Sequence, residues 1–174
     1  ENLIKNFLIF ARSAAGDRED IPVHEMLDET IEALKEVPDW NDYIEVERVY
    51  QDVPPVFGNR TEVRQTFWNI LVNAIQAMPG GGVVRASLAL EEGRLRLDVD
   101  DEGTGVPEAL RVSIFDPYFT TKSSGSGLGL AVCLAVARAH GGDIGVGDSP
   151  QGGARFTVYL PTGFPGECLE NLGS

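Results

Sequence analysis

The sequence predicts a two-layer α+β sandwich, a mixed and mostly antiparallel sheet covered by helices on one face. Three observations carry this expectation. Apolar–polar alternation in "DYIEVERVY" reads as a strand, and "VVRASLAL" and "RLRLDVDD" read as strands too. Helical spacing recurs in "TEVRQTFWNILVNAIQAM" and "LGLAVCLAVARAH". The two kinds of segment alternate along the chain, and after the turn "PGGG" at 79–82 "VVRASLAL" and "RLRLDVDD" read as two antiparallel strands.

In order along the chain, "ENLIKNFLIFARSAA" is helical, with Leu3, Phe7, Phe10 and Ala14 at the 4-3-4 spacing of a coiled-coil seam. It reads either as the end of a longer bundle helix or as a terminal helix docked on its own domain. Residues 16–22, "GDREDIP", form a polar linker, and the main domain is expected over 23–162. A helix over 23–37 precedes the first strand, which Pro54 and Pro55 end. Asn59 is placed to cap the next helix, with Glu62 three residues on as its capping-box partner. That helix extends to about Met78, and a strand pair follows. A short helix is expected near Pro107, then a long irregular loop, "FDPYFTTKSSGSG". The helix over 128–140 is almost wholly apolar and so must be buried; Gly141 and Gly142 stop it. "DIGVGD" and "ARFTVYL" close the domain as a hairpin, and 163–174 is a tail expected to be poorly ordered. No internal repeat is present.

The composition fits a globular domain with a real core: 174 residues, 43% hydrophobic, 24% charged. The charge is 14 − 27 = −13, spread along the chain, which argues against nucleic acid or anionic lipid as partner. It does not forbid a bound nucleotide. Of the two cysteines, Cys133 lies in an apolar helical run and Cys168 in the tail. No disulfide framework or Cys/His metal site is suggested, so a reducing compartment is expected. No apolar run reaches the ~18 residues of a membrane span. The chain opens on Glu1 without a secretory leader pattern and is expected to be a piece of something longer.

The segment 61–78 carries the most chemistry. At 100° per residue Glu62, Gln65, Asn69, Asn73 and Gln76 share one narrow face, while Val63, Phe67, Ile70, Leu71, Ala74 and Met78 take the opposite side. A solvated face normally carries Lys, Glu and Arg. This one carries neutral amides between bulky apolar neighbours, and asparagine is a poor residue inside a helix. Magnesium on phosphate is one explanation: the ion takes one or two protein oxygens, and an amide oxygen adds no negative charge beside the phosphates. Amides bonded to neighbouring backbone or buried water are the other.

"LDVDDEGTGVP" sets Asp101-x-Gly103-x-Gly105 at a strand end. A carboxylate there accepts the exocyclic amine of adenine and would face the carbonyl of guanine acceptor to acceptor. A plain acidic turn has the same pattern. Gly125-x-Gly127-x-Gly129 opens the apolar helix without the strand a Rossmann turn needs or the Lys-Ser/Thr of a Walker loop. Backbone N–H groups at such a helix start suit phosphate, though a glycine-rich linker would read similarly.

Together, in this order and spacing, these stretches resemble the ATP-binding domain of sensor histidine kinases, in the superfamily shared with Hsp90, DNA gyrase B and MutL. "QTFWNILVNAIQAM" is similar to the family's N box, "VDDEGTGVP" to its G1 box, "IFDPYFTTK" to its F box and "GSGLGLAV" to its G2 box; "AHGGDIGVGDSPQGGARFTVYLP" matches the usual ending. The resemblance implies the Bergerat α/β sandwich, with ATP and Mg²⁺ bound under a mobile lid. It implies that Asn73 ligates magnesium, with Asn69 one turn before it as the second candidate ligand, and that Asp101 binds the adenine amine. Gly103, Gly105, Gly127 and Gly129 match nucleotide-cradling glycines, with Gly125 and Leu128 in the same box. Phe115, Phe119, Thr120, Thr121 and Lys122 fall in the lid. Gln76 departs from the many members that carry lysine there to meet phosphate, and the "NAIQAM" and "FTTK" forms resemble the nitrogen-regulator and dicarboxylate-sensor subgroup. Whether Lys122 supplies the missing cation is left open.

ATP-hydrolysing members of the superfamily place a glutamate at position 69 as the base for water. Asn69 takes no proton at neutral pH, which favours phosphoryl transfer to a protein group, a reaction asking mainly for positioning and charge neutralisation. Asn69, Asn73 and Lys122 are the expected catalytic set. The acceptor histidine is not evident. "HEMLDE" at 24–29 lacks the proline of the family's histidine box, so His24 reads as a surface or interface residue, and His140 as a helix C-terminal cap. By the resemblance, 1–15 are the last turns of a dimerisation helix pair, and the acceptor lies upstream. A response-regulator receiver domain, a homodimer in the full-length protein and a cytoplasmic location are implied in the same way. An anti-sigma-factor-type serine kinase shares the boxes, though the bundle-like helix argues against it. A non-catalytic ATP sensor is the remaining alternative.

Overall fold

The computed structural model describes residues 17–122 and 125–163; the expected bundle helix and the tail after 163 lie outside the described residues. Strand alternation sorts the side chains of one sheet into an oily face and a charged face. The elements in chain order are β1 (Glu19–Ile21), α1 (Val23–Leu34), β2 (Ile44–Tyr50), β3 (Val56–Gly58), α2 (Arg60–Gln76), β4 (Gly82–Glu91), β5 (Arg94–Asp100), α3 (Gly129–Ala139), β6 (Asp143–Asp148) and β7 (Ala154–Pro161).

The main sheet runs β2-β4-β5-β7-β6; β2 pairs parallel with β4 and every other pair is antiparallel. The registers stack like with like: Ala86 opposite Val99, Leu88 opposite Leu97, Val99 opposite Phe156 and Leu97 opposite Val158. A one-residue slip would turn this whole set to water. Against it pack Met26, Leu27, Ile31 and Leu34 of α1, Phe67, Ile70, Leu71 and Ile75 of α2, and Val132, Cys133 and Val136 of α3, all buried. The opposite face carries pairs such as Arg85–Glu47, Arg96–Asp98 and Arg155–Asp100. This is the expected sandwich, with helices on one face.

The elements differ from expectation in three places. The linker 16–22 contains β1, which pairs with β3 as a second, two-stranded sheet, Asp20 opposite Phe57. Three-residue strands carry no readable period, so only the pairing reveals them. Near Pro107 the chain makes two 3₁₀ turns, Glu108–Leu110 and Ser113–Phe115, in place of an α-helix. At the start of α2 the Asn59 side chain does accept the Glu62 N–H at 3.1 Å. The reciprocal arm comes from elsewhere: the Asn59 N–H donates to His140 Nε2 at 3.0 Å, while Glu62 Oε2 stands 3.9 Å from that nitrogen. His140 ends α3 as expected, but it is buried, and its Nδ1 lies 2.8 Å from the Val136 carbonyl. With Nε2 accepting, Nδ1 must carry the proton, so a neutral imidazole ties the end of α3 to the start of α2. His24 is half-buried, with Nε2 2.8 Å from the Gln51 carbonyl and its ring edge-on to Tyr50.

Candidate active site

The amide face of α2 turns away from the apolar face and forms one wall of a cleft of about 840 Å³. The start of α3, the turn after β5 and residues 119–122 and 125–127 supply the other walls. Of the residues expected at the site, Asn69, Asn73, Asp101, Gly105, Phe119, Thr120, Thr121, Lys122, Gly125, Gly127 and Gly129 line this one cleft. Gly103, Phe115 and Leu128 do not. Gly103 lies behind Asp101, Phe115 packs on the core, and Leu128 caps α3 by accepting the Val132 N–H at 2.9 Å.

At the inner end Asp101 is 1% exposed. Two backbone N–H groups hold its Oδ1, Gly103 at 2.8 Å and Ala154 at 3.1 Å, and its own N–H donates to the Ala154 carbonyl. Burial pushes this carboxyl above the usual aspartate range; the two backbone bonds oppose the shift. Ile114, Val106, Leu110 and Phe156 give this region apolar walls. Gly153 was not legible as part of the site. A Cβ there would run into Asp101 and the Gly103 nitrogen, so the hairpin before β7 passes directly behind the carboxylate.

At the outer end the stripe is a chain of side-chain bonds. Gln65 Nε2 donates to Asn69 Oδ1 at 2.7 Å, and Asn69 Nδ2 donates to the Gly129 carbonyl at 3.1 Å. The two asparagine oxygens therefore do not converge: that of Asn69 faces Gln65, and that of Asn73 accepts from Lys122 Nζ at 3.0 Å. Lys122 also donates to Gln76 Oε1 at 2.7 Å. Partial desolvation draws the Lys122 pKa down, with Asp39 and Asp101 opposing. Gln76 lines the cleft too; its place on the stripe was the available sign.

The glycine turn does two jobs. Gly129 and Leu130 open α3 onto the cleft, so the free N–H groups of its first turn lie at the cleft's edge. Gly127 has φ +67° and packs against the Tyr118 backbone, whose N–H donates to its carbonyl at 2.9 Å. A Cβ would break that contact, so Gly127 is required by the cover's own folding. Cys133 is fully buried, its thiol pushed up to about 12 by burial, and among the described residues no group of three or more His, Cys, Asp or Glu could hold a metal. Among these residues no helix is long and apolar enough to cross a membrane.

Residues 58–163 match the family described as histidine kinase-, DNA gyrase B- and HSP90-like ATPases. The chain is 31% identical over 160 residues to the signal transduction histidine-protein kinase AtoS of Escherichia coli, covering 91% of this chain and 26% of AtoS. It is 32% identical over 174 residues to the sensory histidine kinase/phosphatase NtrB of Azospirillum brasilense, covering 91% and 43%. Full-length ShkA in complex with AMPPNP superposes with a TM-score of 0.78 at 28% identity, covering 92% of this chain and 35% of that one. The catalytic domain of the histidine kinase ThkA gives 0.76 at 27% identity, covering 84% and 96%. The chain thus spans about a quarter of curated relatives such as AtoS and, at 22%, sporulation kinase E of Bacillus subtilis, and nearly the whole of an isolated catalytic domain. Its sandwich, its cleft and these likenesses agree, and the chain belongs to the histidine kinase-, DNA gyrase B- and HSP90-like ATPase family as an ATP-binding catalytic domain of the histidine kinase type.

Proposed function

We propose that this chain binds Mg²⁺–ATP in the 840 Å³ cleft and presents the γ-phosphate to a histidine of a helical domain preceding it in a longer protein. The observation that carries this is the polarity of the cleft from end to end. A dehydrated carboxylate in apolar walls stands at one end, and neutral amides with a lysine and a helix N-terminus at the other.

In this reading adenine lies at Asp101. Oδ1 is held by backbone, and Oδ2 accepts the exocyclic amine. The triphosphate runs toward the N–H groups of α3 and the Lys122 ammonium, and Gly105, Gly125, Gly127 and Gly129 let backbone approach it. The donor set suits a magnesium ion: Asn73 Oδ1 is a neutral oxygen already turned to a cation, the Lys122 ammonium, and would hold the metal. Bound there, the ion would offset the negative charge of the phosphates. Asn69, held by Gln65 and Gly129, is the second amide at this end and offers no base for water. Phe119, Thr120 and Thr121 cover the nucleotide. No side chain takes a proton from the acceptor. The domain's work is alignment and charge neutralisation, and the acceptor histidine is its own nucleophile.

The regulator's receiver domain, dimerisation through the preceding helices and a cytoplasmic setting belong to the same proposal. The test is calorimetry of this chain with Mg²⁺–ATP and Mg²⁺–GTP, followed by γ-phosphate labelling of a longer chain carrying the preceding helices. Binding that favours ATP and an acid-labile label on histidine are expected. Equal binding of both nucleotides removes Asp101 from its role; a label on serine or none at all overturns the transfer reaction.

A further inference from the structure

The outer end of the amide stripe holds a relay that the reading above leaves unused. Gln76 Oε1 accepts from Lys122 Nζ at 2.7 Å, and Gln76 Nε2 donates to Asp39 Oδ2 at 2.9 Å. The three residues come from the loop before β2, the last turn of α2 and the cover, 37 and 46 positions apart. A primary amide has one accepting and one donating end of nearly equal shape. Asp39 accepts only, so it claims the amine of Gln76 and leaves the carbonyl facing Lys122. A carboxylate at position 76 would neutralise the lysine. A carbonyl holds it and leaves its full charge for an anion.

Lys122 makes two bonds here, to Asn73 and to Gln76, and an ammonium has three donors. If Asn73 turns its oxygen to a metal, one donor stays on Gln76 and two face the phosphates. We propose that Gln76, oriented by Asp39, is a positioning residue that holds the Lys122 cation at the γ-phosphate while Asn73 serves the metal. The inference rests on the Mg²⁺–ATP reading and names the pair that does the work of one lysine on α2.

The test is the ratio of Mg²⁺–ADP to Mg²⁺–ATP dissociation constants, measured by calorimetry on this chain and its variants, with thermal melts to confirm folding. Lys122→Ala is expected to cut the preference for ATP about tenfold, the scale of a lost charge-assisted bond. Gln76→Leu is expected to cut it about fivefold alone and to add nothing on top of Lys122→Ala, because both remove one interaction. Gln76→Lys in the Lys122→Ala background restores most of the preference, and Asp39→Asn, which frees the Gln76 amide to flip, lowers it in the same direction as Gln76→Leu. A Gln76→Leu variant that loses ATP and ADP affinity equally, or loses ATP affinity by the same factor with and without Lys122, overturns the inference and leaves the nucleotide reading intact. Wild-type chain that binds neither nucleotide overturns both.

Discussion

The two ends of the cleft are built from different materials. At the inner end Asp101 is held by main-chain N–H groups of the turn after β5 and of β7, and Gly153 presses on it from behind. At the outer end Asn73, Gln76, Lys122 and Asp39 hold one another through side chains alone, most of them exposed. The Ala154 donor belongs to a paired strand and cannot rearrange without breaking the ladder, so the inner end is fixed before any ligand arrives. Side-chain bonds at a wet surface exchange at little net cost. Under the proposed function, the first kind of site would recognise the base, and the second would bind and release the phosphate with its metal.

The largest effect that would break this contrast is at the rigid end. Asp101→Asn is expected to weaken ATP binding on the order of a hundredfold, the upper range for a hydrogen bond to a charged group, while the fold persists. Calorimetry beside a thermal melt checks it, and a tenfold or smaller loss would make the inner end no more demanding than the outer. Gly153→Ala should carry damage into the same site by sterics. It is expected to cost about 1–3 kcal/mol of stability, as overpacking does, with ATP affinity falling as well; denaturant unfolding gives the first number.

At the soft end Asn73→Asp adds charge beside phosphate and is expected to weaken Mg²⁺–ATP binding about tenfold. Affinity measured with and without magnesium separates a metal effect from a structural one. A smaller effect follows from pH. The Asp101 pKa is raised by burial, so the folded state takes up a proton before the unfolded one does. Falling pH therefore relieves a destabilisation that is fully present above the folded pKa, and apo stability gains as pH drops through the window between the folded value and the ordinary aspartate one. If Asp101 accepts the adenine amine as proposed, ATP affinity moves the other way, weakening by at most about tenfold per pH unit below the folded pKa. Both trends should vanish in Asp101→Asn. Least of all, Arg85→Ala on the outer sheet face removes an exposed pair with Glu47 and is expected to cost no more than about 0.5 kcal/mol, without change in nucleotide binding.

The inner end was more legible than the outer, for a physical reason. Asp101 sits two and four residues before Gly103 and Gly105, so local order along one strand end spells it out. The amide stripe was legible as well, because helical period alone puts Asn69, Asn73 and Gln76 on one face. The partners of those amides were not. Lys122 reaches α2 from 46 residues away and Asp39 from 37, and neither has a period or a motif that ties it to position 76. The same holds for β1 against β3 and for His140 at the Asn59 cap, 81 residues distant.

The sequence alone determined which faces are apolar, where the three α-helices lie to within a few residues, and which three stretches carry unusual chemistry, because each of these is decided by neighbours within one or two turns. Tertiary structure alone decided that Asp101 is dehydrated, that its Oδ1 is held by Ala154, and that Lys122 rests on two amide oxygens. Burial and hydrogen-bond partnership depend on what the folded chain brings from elsewhere, and a local pattern contains no information about arrivals from a distance.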